Sequence, residues 1–372
     1  MRSKIAADSS NDLFNNYPES PRVLVTGGAG FIGGAMVRRL LRQADVQVFN
    51  LDKLGYASDL TWLNQLDSDA RERHHLLRIN LTDQKSTREA VLSADPNLVL
   101  HLAAESHVDR SIAGPTVFIE SNIIGTFNLL QAVLNHWQQL PQKRQQHFRL
   151  HHISTDEVFG SLGENGRFSE TTPYYPRSPY AASKAASDHI VRAWYHTYGL
   201  PVVISNCSNN FGPWQFPDKL IPVVILKALA GESIPLYGNG TNVRDWLYVE
   251  DHVDALLLAA TRGRLGTSYC VGGYGERSNR QVVEVICALL DRFHPDSAPH
   301  GRLITHVPDR PGHDHRYAID PARIAAELGW KPRHHFEAAL ETTVRWYLEH
   351  LAWCQHVKKS GEYFGERLGL VT

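Results

Sequence analysis

The chain has 372 residues, 42% hydrophobic and 21% charged, with 38 Lys and Arg against 39 Asp and Glu for a formal net charge of −1. That length accommodates one large α/β unit plus a smaller one, with a substantial buried core. The balanced charge excludes the strong basic field of a nucleic-acid or membrane-surface partner.

Four cysteines (Cys207, Cys270, Cys287 and Cys354) are far apart and form no C-x-x-C pair. They read as incidental thiols of a reduced, cytoplasmic protein. Residues 1–20 are polar with no apolar run, so they are neither a signal peptide nor an anchor and are expected to form a flexible extension. The longest apolar stretch, Ile221 to Ala230, contains Pro222 and Lys227 and is too short to cross a bilayer.

From Arg22 short β-rich runs alternate with longer helical ones. Strands are expected at Val23–Thr26, Val46–Leu51, Leu76–Ile79, Leu98–Leu102, Leu150–Ser154 and Val202–Ser205. Helices are expected at Phe31–Arg42, Ser86–Leu92, Val117–Trp137 and Pro179–Tyr198. The pattern predicts an α/β protein with a Rossmann-type, doubly wound parallel sheet of six or seven strands over residues 21–205. After Asn206, repeated Pro and Gly break the alternation. Helical runs return at Val249–Thr261, Arg280–Phe293, Pro321–Leu328 and Phe336–Ala352. Residues 206–372 are therefore expected to form a smaller α/β substrate domain, partly interleaved with the first.

The run from Thr26 to Gly33 follows the first strand and opens the first helix. Gly27, Gly30 and Gly33 fit one glycine spacing, and Gly28, Gly30 and Gly33 fit G-x-G-x-x-G. A side chain there would keep a pyrophosphate from the helix N–H groups. Asp52 ends the second strand, where a carboxylate accepts bonds from a ribose and repels a 2′-phosphate, favouring NAD over NADP. After the fourth strand comes His101-Leu102-Ala103-Ala104-Glu105-Ser106. Its small residues would admit a cofactor close to the backbone, and Ser106 would reach a sugar. His101 reads as structural, with no metal set around it.

Two segments carry the chemistry. Tyr180 and Lys184 lie four residues apart on one helix face. They are suited to taking a proton from a hydroxyl while hydride leaves for a nicotinamide, provided the phenol's pKa of about 10 is lowered by about three units. Lys184 and the cationic ring are the expected sources of that shift. Upstream, Ser154-Thr155 precedes the adjacent acids Asp156 and Glu157. Neighbours in a strand point to opposite faces, so both acids reach one substrate only if the strand ends before them. Glu157 would then remove the C5 proton of an oxidised sugar, and Asp156, protonated, would donate to the departing C6 hydroxyl.

These motifs, with HLAAESHVDRSI (101–112), TDEVFG (155–160), SPYAASK (178–184), NCSNNFG (206–212), YGNGTNVRDWLYVED (237–251) and DRPGHDHRYAID (309–320), resemble the dTDP-glucose 4,6-dehydratases of the extended short-chain dehydrogenase/reductase family. The resemblance runs from about Arg22 to His350. It implies conversion of dTDP-glucose to dTDP-4-keto-6-deoxyglucose with NAD regenerated. It also implies NAD contacts at Phe31, Ile32, Lys53, Leu54, Gly55, Asn80, Leu81, Leu102, Ala103, Ala104, Ser121 and Asn210, besides Asp52, Tyr180 and Lys184. Sugar contacts are implied at Ser106, Thr155 and Asn209. Nucleotide and diphosphate contacts are implied at Lys219, Leu220, Pro235, Tyr237, Arg244, Asn279, Asp309, Arg310 and His313. A homodimer built on a four-helix bundle of 117–137 and 179–198 is implied as well.

Asn80 stands where the family usually has Asp, and Phe159 and Phe211 stand where tyrosine is commoner. The rival functions are a C4 epimerase, a decarboxylase or a dehydratase acting on a UDP-, CDP- or GDP-linked sugar, and a dinucleotide-sensing regulator without chemistry. Epimerases need no acid pair, GDP-mannose dehydratases usually carry Ser-Glu there, and a regulator would be expected to have lost Tyr180 or Lys184.

Overall fold

The computed structural model describes residues 13–15, 17, 20–42, 45–309 and 312–361. Among its inner strands is β1 (Arg22–Thr26), in which Val23, Leu24 and Val25 are all fully buried. A strand covered on both faces reads as a continuous apolar run rather than an alternating one. Around it lie β2 (Gln47–Asp52), β3 (His74–Arg78), β4 (Leu98–His101), β5 (Arg149–Thr155) and β6 (Val202–Cys207). The remaining strands are β7 (Asn209–Phe211), β8 (Ile234–Tyr237), β9 (Val243–Tyr248), β10 (Ser268–Val271), β11 (Glu276–Ser278) and β12 (Ile304–Val307).

Seven strands form one sheet in the order β10-β6-β5-β4-β1-β2-β3, every neighbouring pair parallel. The chain turns from β1 toward β2 and β3 on one side and toward β4 and β5 on the other. That switch opens a crevice at the carboxyl ends of β1 and β4. β10 comes from beyond residue 206 yet pairs with β6, so the second half of the chain completes the sheet of the first.

Helix α1 (Phe31–Leu41) and the helix Val249–Arg262 cover one face of the sheet. The other carries α2 (Gln84–Ala94), α3 (Thr116–Gln139) and α4 (Pro179–Tyr198). α3 is long and apolar enough to cross a membrane by length and composition, a feature the sequence reading passed over. Here Leu129, Leu130 and Val133 are buried in the sheet's core, each contributing about 1.5–3 kcal/mol. α3 is therefore a core helix. One π-helical stretch, Ile119–Ile124, interrupts its regular turns.

Three observations differ from the sequence-based expectation. Leu13, Phe14 and Tyr17 pack on the cluster beneath α1, so part of the N-terminal extension is folded onto the protein. Residues 1–12, within the same extension, lie outside the described residues. The apolar run at 221–230 is a helix, Leu220–Leu229, whose Pro222 sits in the first turn, where a missing N–H costs nothing. The helix expected at 336–352 divides into Phe336–Glu349 and Leu351–Ser360. Between them His350 leaves helical geometry and stacks on Trp346, 4.3 Å between ring centres.

Two smaller sheets, β11-β9-β7 and β12-β8, complete the second unit. Helices Leu220–Leu229, Asn279–Phe293 and Phe336–Glu349 pack around a core of Ile225, Ile286 and Val344. This unit faces the crevice.

Candidate active site

A cavity of about 560 Å³ runs from the glycine turn after β1 past the ends of β4, β5 and β6 to β8 and β9. Almost all the residues singled out from sequence line it. Leu54 does not. It adopts a left-handed conformation (φ 59°), and its N–H donates to Asp52 Oδ1 at 2.7 Å. Asp309 also stands back from the wall, with Oδ1 2.6 Å from His313 Nδ1. Arg310 lies outside the described residues.

The dinucleotide end is shaped by backbone. At Gly27 (φ 74°) a Cβ would lie 2.7 Å from Ala103 Cα, and at Gly33 one would collide with the Gly27 carbonyl. Gly30 offers no side-chain cap to α1, so the first-turn N–H groups are left for an anion. Asp52 is fixed by Ala29 N at 3.0 Å and Ser58 Oγ at 3.2 Å as well as Leu54 N. Its carboxylate faces the cavity in the position to accept from a ribose diol. Asn80 Oδ1 already accepts from Thr82 N at 3.1 Å, and an amide oxygen can take one further donor. His101 is structural: Nδ1 meets Thr26 Oγ1 at 2.7 Å and Nε2 meets Thr126 Oγ1 at 2.9 Å. The buried amide oxygens of Asn209 and Asn210 have no protein partner and belong to residues that line the cavity. These features fit a bound dinucleotide and sugar.

At the reacting end β5 stops at Thr155. The Thr155 hydroxyl accepts from Glu157 N–H at 3.2 Å and caps a 3₁₀ turn over Asp156–Phe159. Strand alternation therefore does not apply, and both acids line the cavity. Asp156 is 1% exposed, and its Oδ2 is buried without a partner. Burial, then Glu157 and Asp245, push its carboxyl well above the usual range, which favours the protonated acid. Glu157 beside it is half-buried.

In the protein alone, burial, followed by Glu157 and Cys207, raises the Tyr180 phenol well above the ordinary value, opposed by a hydrogen bond with Thr155. Lys184 Nζ donates to the Ile153 carbonyl at 2.8 Å, and burial lowers its own pKa. The chain by itself keeps the phenol protonated.

At the far end, Tyr237 Oη donates to Asp109 Oδ2 at 3.1 Å, and Lys219 Nζ donates to the Ser106 carbonyl at 3.3 Å. Arg244 stacks on Tyr317 at 4.2 Å and donates to the Val243 and Asp314 carbonyls at 2.8 and 3.0 Å. Phe159 and Phe211 are buried and ring-packed, Phe159 against Phe168 and Tyr174, Phe211 against Trp246 and Tyr248.

Sequence reasoning missed several lining residues. Tyr56 donates to Asp218 Oδ2 at 3.2 Å, with Arg110 over its ring at 3.9 Å. Glu105 pairs with Lys53 at 2.5 Å. Each adjoins a residue that was singled out (Gly55, Lys219, Ser106), and adjacency was the only signal available.

A family model described as GDP-mannose 4,6 dehydratase matches residues 24–343. The dTDP-glucose 4,6-dehydratase of Xanthomonas campestris pv. campestris (strain B100) is 52% identical over 348 residues, covering 93% of this chain and 98% of the relative. The dTDP-glucose 4,6-dehydratase 1 of Escherichia coli (strain K12) is 50% identical, covering 92% and 96%. Among solved structures, DesIV of Streptomyces venezuelae, a dTDP-glucose 4,6-dehydratase with NAD and TYD bound, superposes with a TM-score of 0.82 at 41% identity, covering 91% of this chain and all of that one. A dTDP-glucose 4,6-dehydratase of Bacillus anthracis in complex with NAD gives 0.80 at 38% identity, with the same coverage. The cleft geometry and these similarities agree, and the chain belongs to the dTDP-glucose 4,6-dehydratase family within the extended short-chain dehydrogenases/reductases.

Proposed function

We propose that the protein converts dTDP-glucose to dTDP-4-keto-6-deoxyglucose, an NAD-dependent hydro-lyase reaction. The observation that carries this reading is one turn of chain, Thr155 to Glu157, bringing a buried carboxyl of raised pKa, a second carboxyl and the Tyr180 phenol to one cavity. The glycine turn, Asp52 and Lys184 would hold NAD, which when bound would supply the hydride acceptor for C4, the hydride due back at C6 and a positive ring beside the phenol. Tyr180 takes the C4 hydroxyl proton, with Thr155 holding its oxygen and Lys184 one helical turn away. Oxidation at C4 acidifies the C5 hydrogen, which Glu157 removes. Asp156 gives its proton to the C6 hydroxyl, which departs as water. A proton then returns to C5 and the sugar is left as the 4-ketone.

Asp52 binds the adenosine ribose, and the glycine turn admits the pyrophosphate. Asn209 and Ser106 hold the hexose, while Lys219, Arg244, Asn279 and His313 hold the diphosphate side and Tyr237 offers the base a flat face. The enzyme works in the cytoplasm: all four cysteines are buried and unpaired. It pairs with a second copy through α3 and α4, where Val117, Ile119, Ile124 and Tyr198 remain 44–48% exposed.

The test is a panel of dTDP-, UDP-, CDP- and GDP-glucose with NAD and product analysis. The dTDP sugar should give the 4-keto-6-deoxy product fastest, without net NADH. A C4-epimerised product that keeps its C6 hydroxyl would establish the epimerase instead.

A further inference from the structure

Four consecutive residues of β5, His152 to Thr155, are each held by a side chain from another element. Lys184 Nζ donates to the Ile153 carbonyl at 2.8 Å, and Asn206 Nδ2 donates to the Thr155 carbonyl at 3.2 Å. The other two are held by one carboxylate. Asp188 Oδ1 accepts from His152 Nε2 at 3.0 Å, and Oδ2 accepts from Ser154 Oγ at 2.8 Å. The same Oδ2 accepts from Tyr174 Oη at 2.8 Å and from Asn206 Nδ2 at 3.2 Å.

Asp188 is fully buried and sits on α4 one helical turn beyond Lys184. It lies behind the cavity wall rather than on it. Its neighbours fix their own proton positions. Arg192 Nη2 donates to Tyr174 Oη at 2.8 Å, which directs the phenol's proton to Asp188. The Asn206 amide and the Ser154 hydroxyl donate too, and burial keeps His152 neutral, with Nε2 the ring nitrogen that faces Asp188. Four donors converge, so the site needs an acceptor with about four lone-pair positions and no proton of its own. A carboxylate meets that need and an amide does not. A buried anion persists where it is fully hydrogen-bonded and faced by cations, and Lys184 and Arg192 lie on the same helix.

We propose that Asp188 is a positioning residue that locks the end of β5, which delivers Asp156 and Glu157, in register with the helix that delivers Tyr180 and Lys184. The proposal rests on the dehydratase reading, because only that reaction needs both sets on one hexose. A loose register would still bind substrate and cofactor, since neither touches Asp188, but would separate the proton transfers at C4, C5 and C6. Misplacement on the ångström scale costs about 100-fold in rate.

The test uses NAD-loaded D188N, S154A and the double variant with dTDP-glucose. D188N should lower kcat about 100-fold while KM stays within about threefold and NAD occupancy is unchanged. S154A should lower kcat by about 5- to 10-fold alone and add little in the D188N background, because both remove one lock. A D188N kcat within about twofold of wild type, matched losses in kcat and NAD occupancy, or full additivity with S154A would overturn the proposal. If D188N does not fold, Y174F and S154A carry the test. Each should reduce kcat at constant KM, and two unchanged kcat values would reject the lock. A wild-type protein that leaves dTDP-glucose unaltered overturns the functional reading instead, and the kcat-against-KM split is then measured on whichever nucleotide sugar it consumes.

Discussion

The Thr155 hydroxyl receives the Glu157 backbone N–H at 3.2 Å, and this contact converts a strand end into a site. Without it, Asp156 and Glu157 would follow the alternation of β5 and face opposite sides of the sheet. With it, the chain turns at once, and the oxygen that caps the turn also meets the phenol of Tyr180.

Thr155→Val removes the cap and the Tyr180 contact while keeping the volume. Stability should fall by about 1 kcal/mol, as for other lost caps. Dehydration should slow by about 100-fold, the lower end for a displaced acid–base group. Thr155→Ser restores the hydroxyl and should recover most of the rate. Thermal melts and steady-state kinetics on the two variants check both effects.

Asp156→Asn keeps the shape of the acid but cannot donate its proton. Water loss should slow by at least about 100-fold, while oxidation at C4 is affected less. NADH should therefore accumulate transiently in a single turnover. Equal slowing of both steps contradicts the role given to Asp156.

Asp245 makes a prediction about stability and pH. It is 1% exposed, and burial raises its carboxyl to about 7, opposed by the Gly275 N–H bond. The folded state therefore holds a proton that the unfolded chain releases near the ordinary carboxyl pKa of about 4. Stability from this group is present at low pH and is lost progressively as pH rises from about 4 to about 7. Asp245→Asn removes that loss, so its melting temperature should exceed wild type at pH about 8 and converge with it at pH about 4. A difference that does not vary with pH contradicts the assignment.

Gly33→Ala tests the dinucleotide turn. The added methyl meets the Gly27 carbonyl, and overpacking of this kind costs about 1–3 kcal/mol. NAD affinity should fall at least about tenfold, read by titration of the NAD-free protein, with some loss of melting temperature.

The parts legible in the sequence are those that depend on local pattern. β1 with its glycine turn and α4, the latter matched at both ends, follow from periodicity and punctuation alone. So does placing Asp52, Tyr180 and Lys184 at one crevice. Less legible was anything set by long-range packing. The break at His350 depends on stacking with Trp346, and the helix at 220–229 forms despite Pro222 because that residue falls in its first turn. Tyr56 and Asp218 meet across 162 positions, which no local pattern records. Lys184 and the cationic ring were the expected sources for lowering the Tyr180 phenol, and in the protein alone the lysine's bond goes to a carbonyl of β5. Spacing places two residues on one helix face without saying which way a flexible side chain turns.

The most direct test follows a deuterium label placed at C4 of dTDP-glucose through a single conversion by the NAD-loaded protein. The account predicts that the label reappears at C6 of the same sugar, with the C6 hydroxyl gone and a solvent proton at C5. Label released to water, or kept at C4 beside an intact C6 hydroxyl, would contradict it.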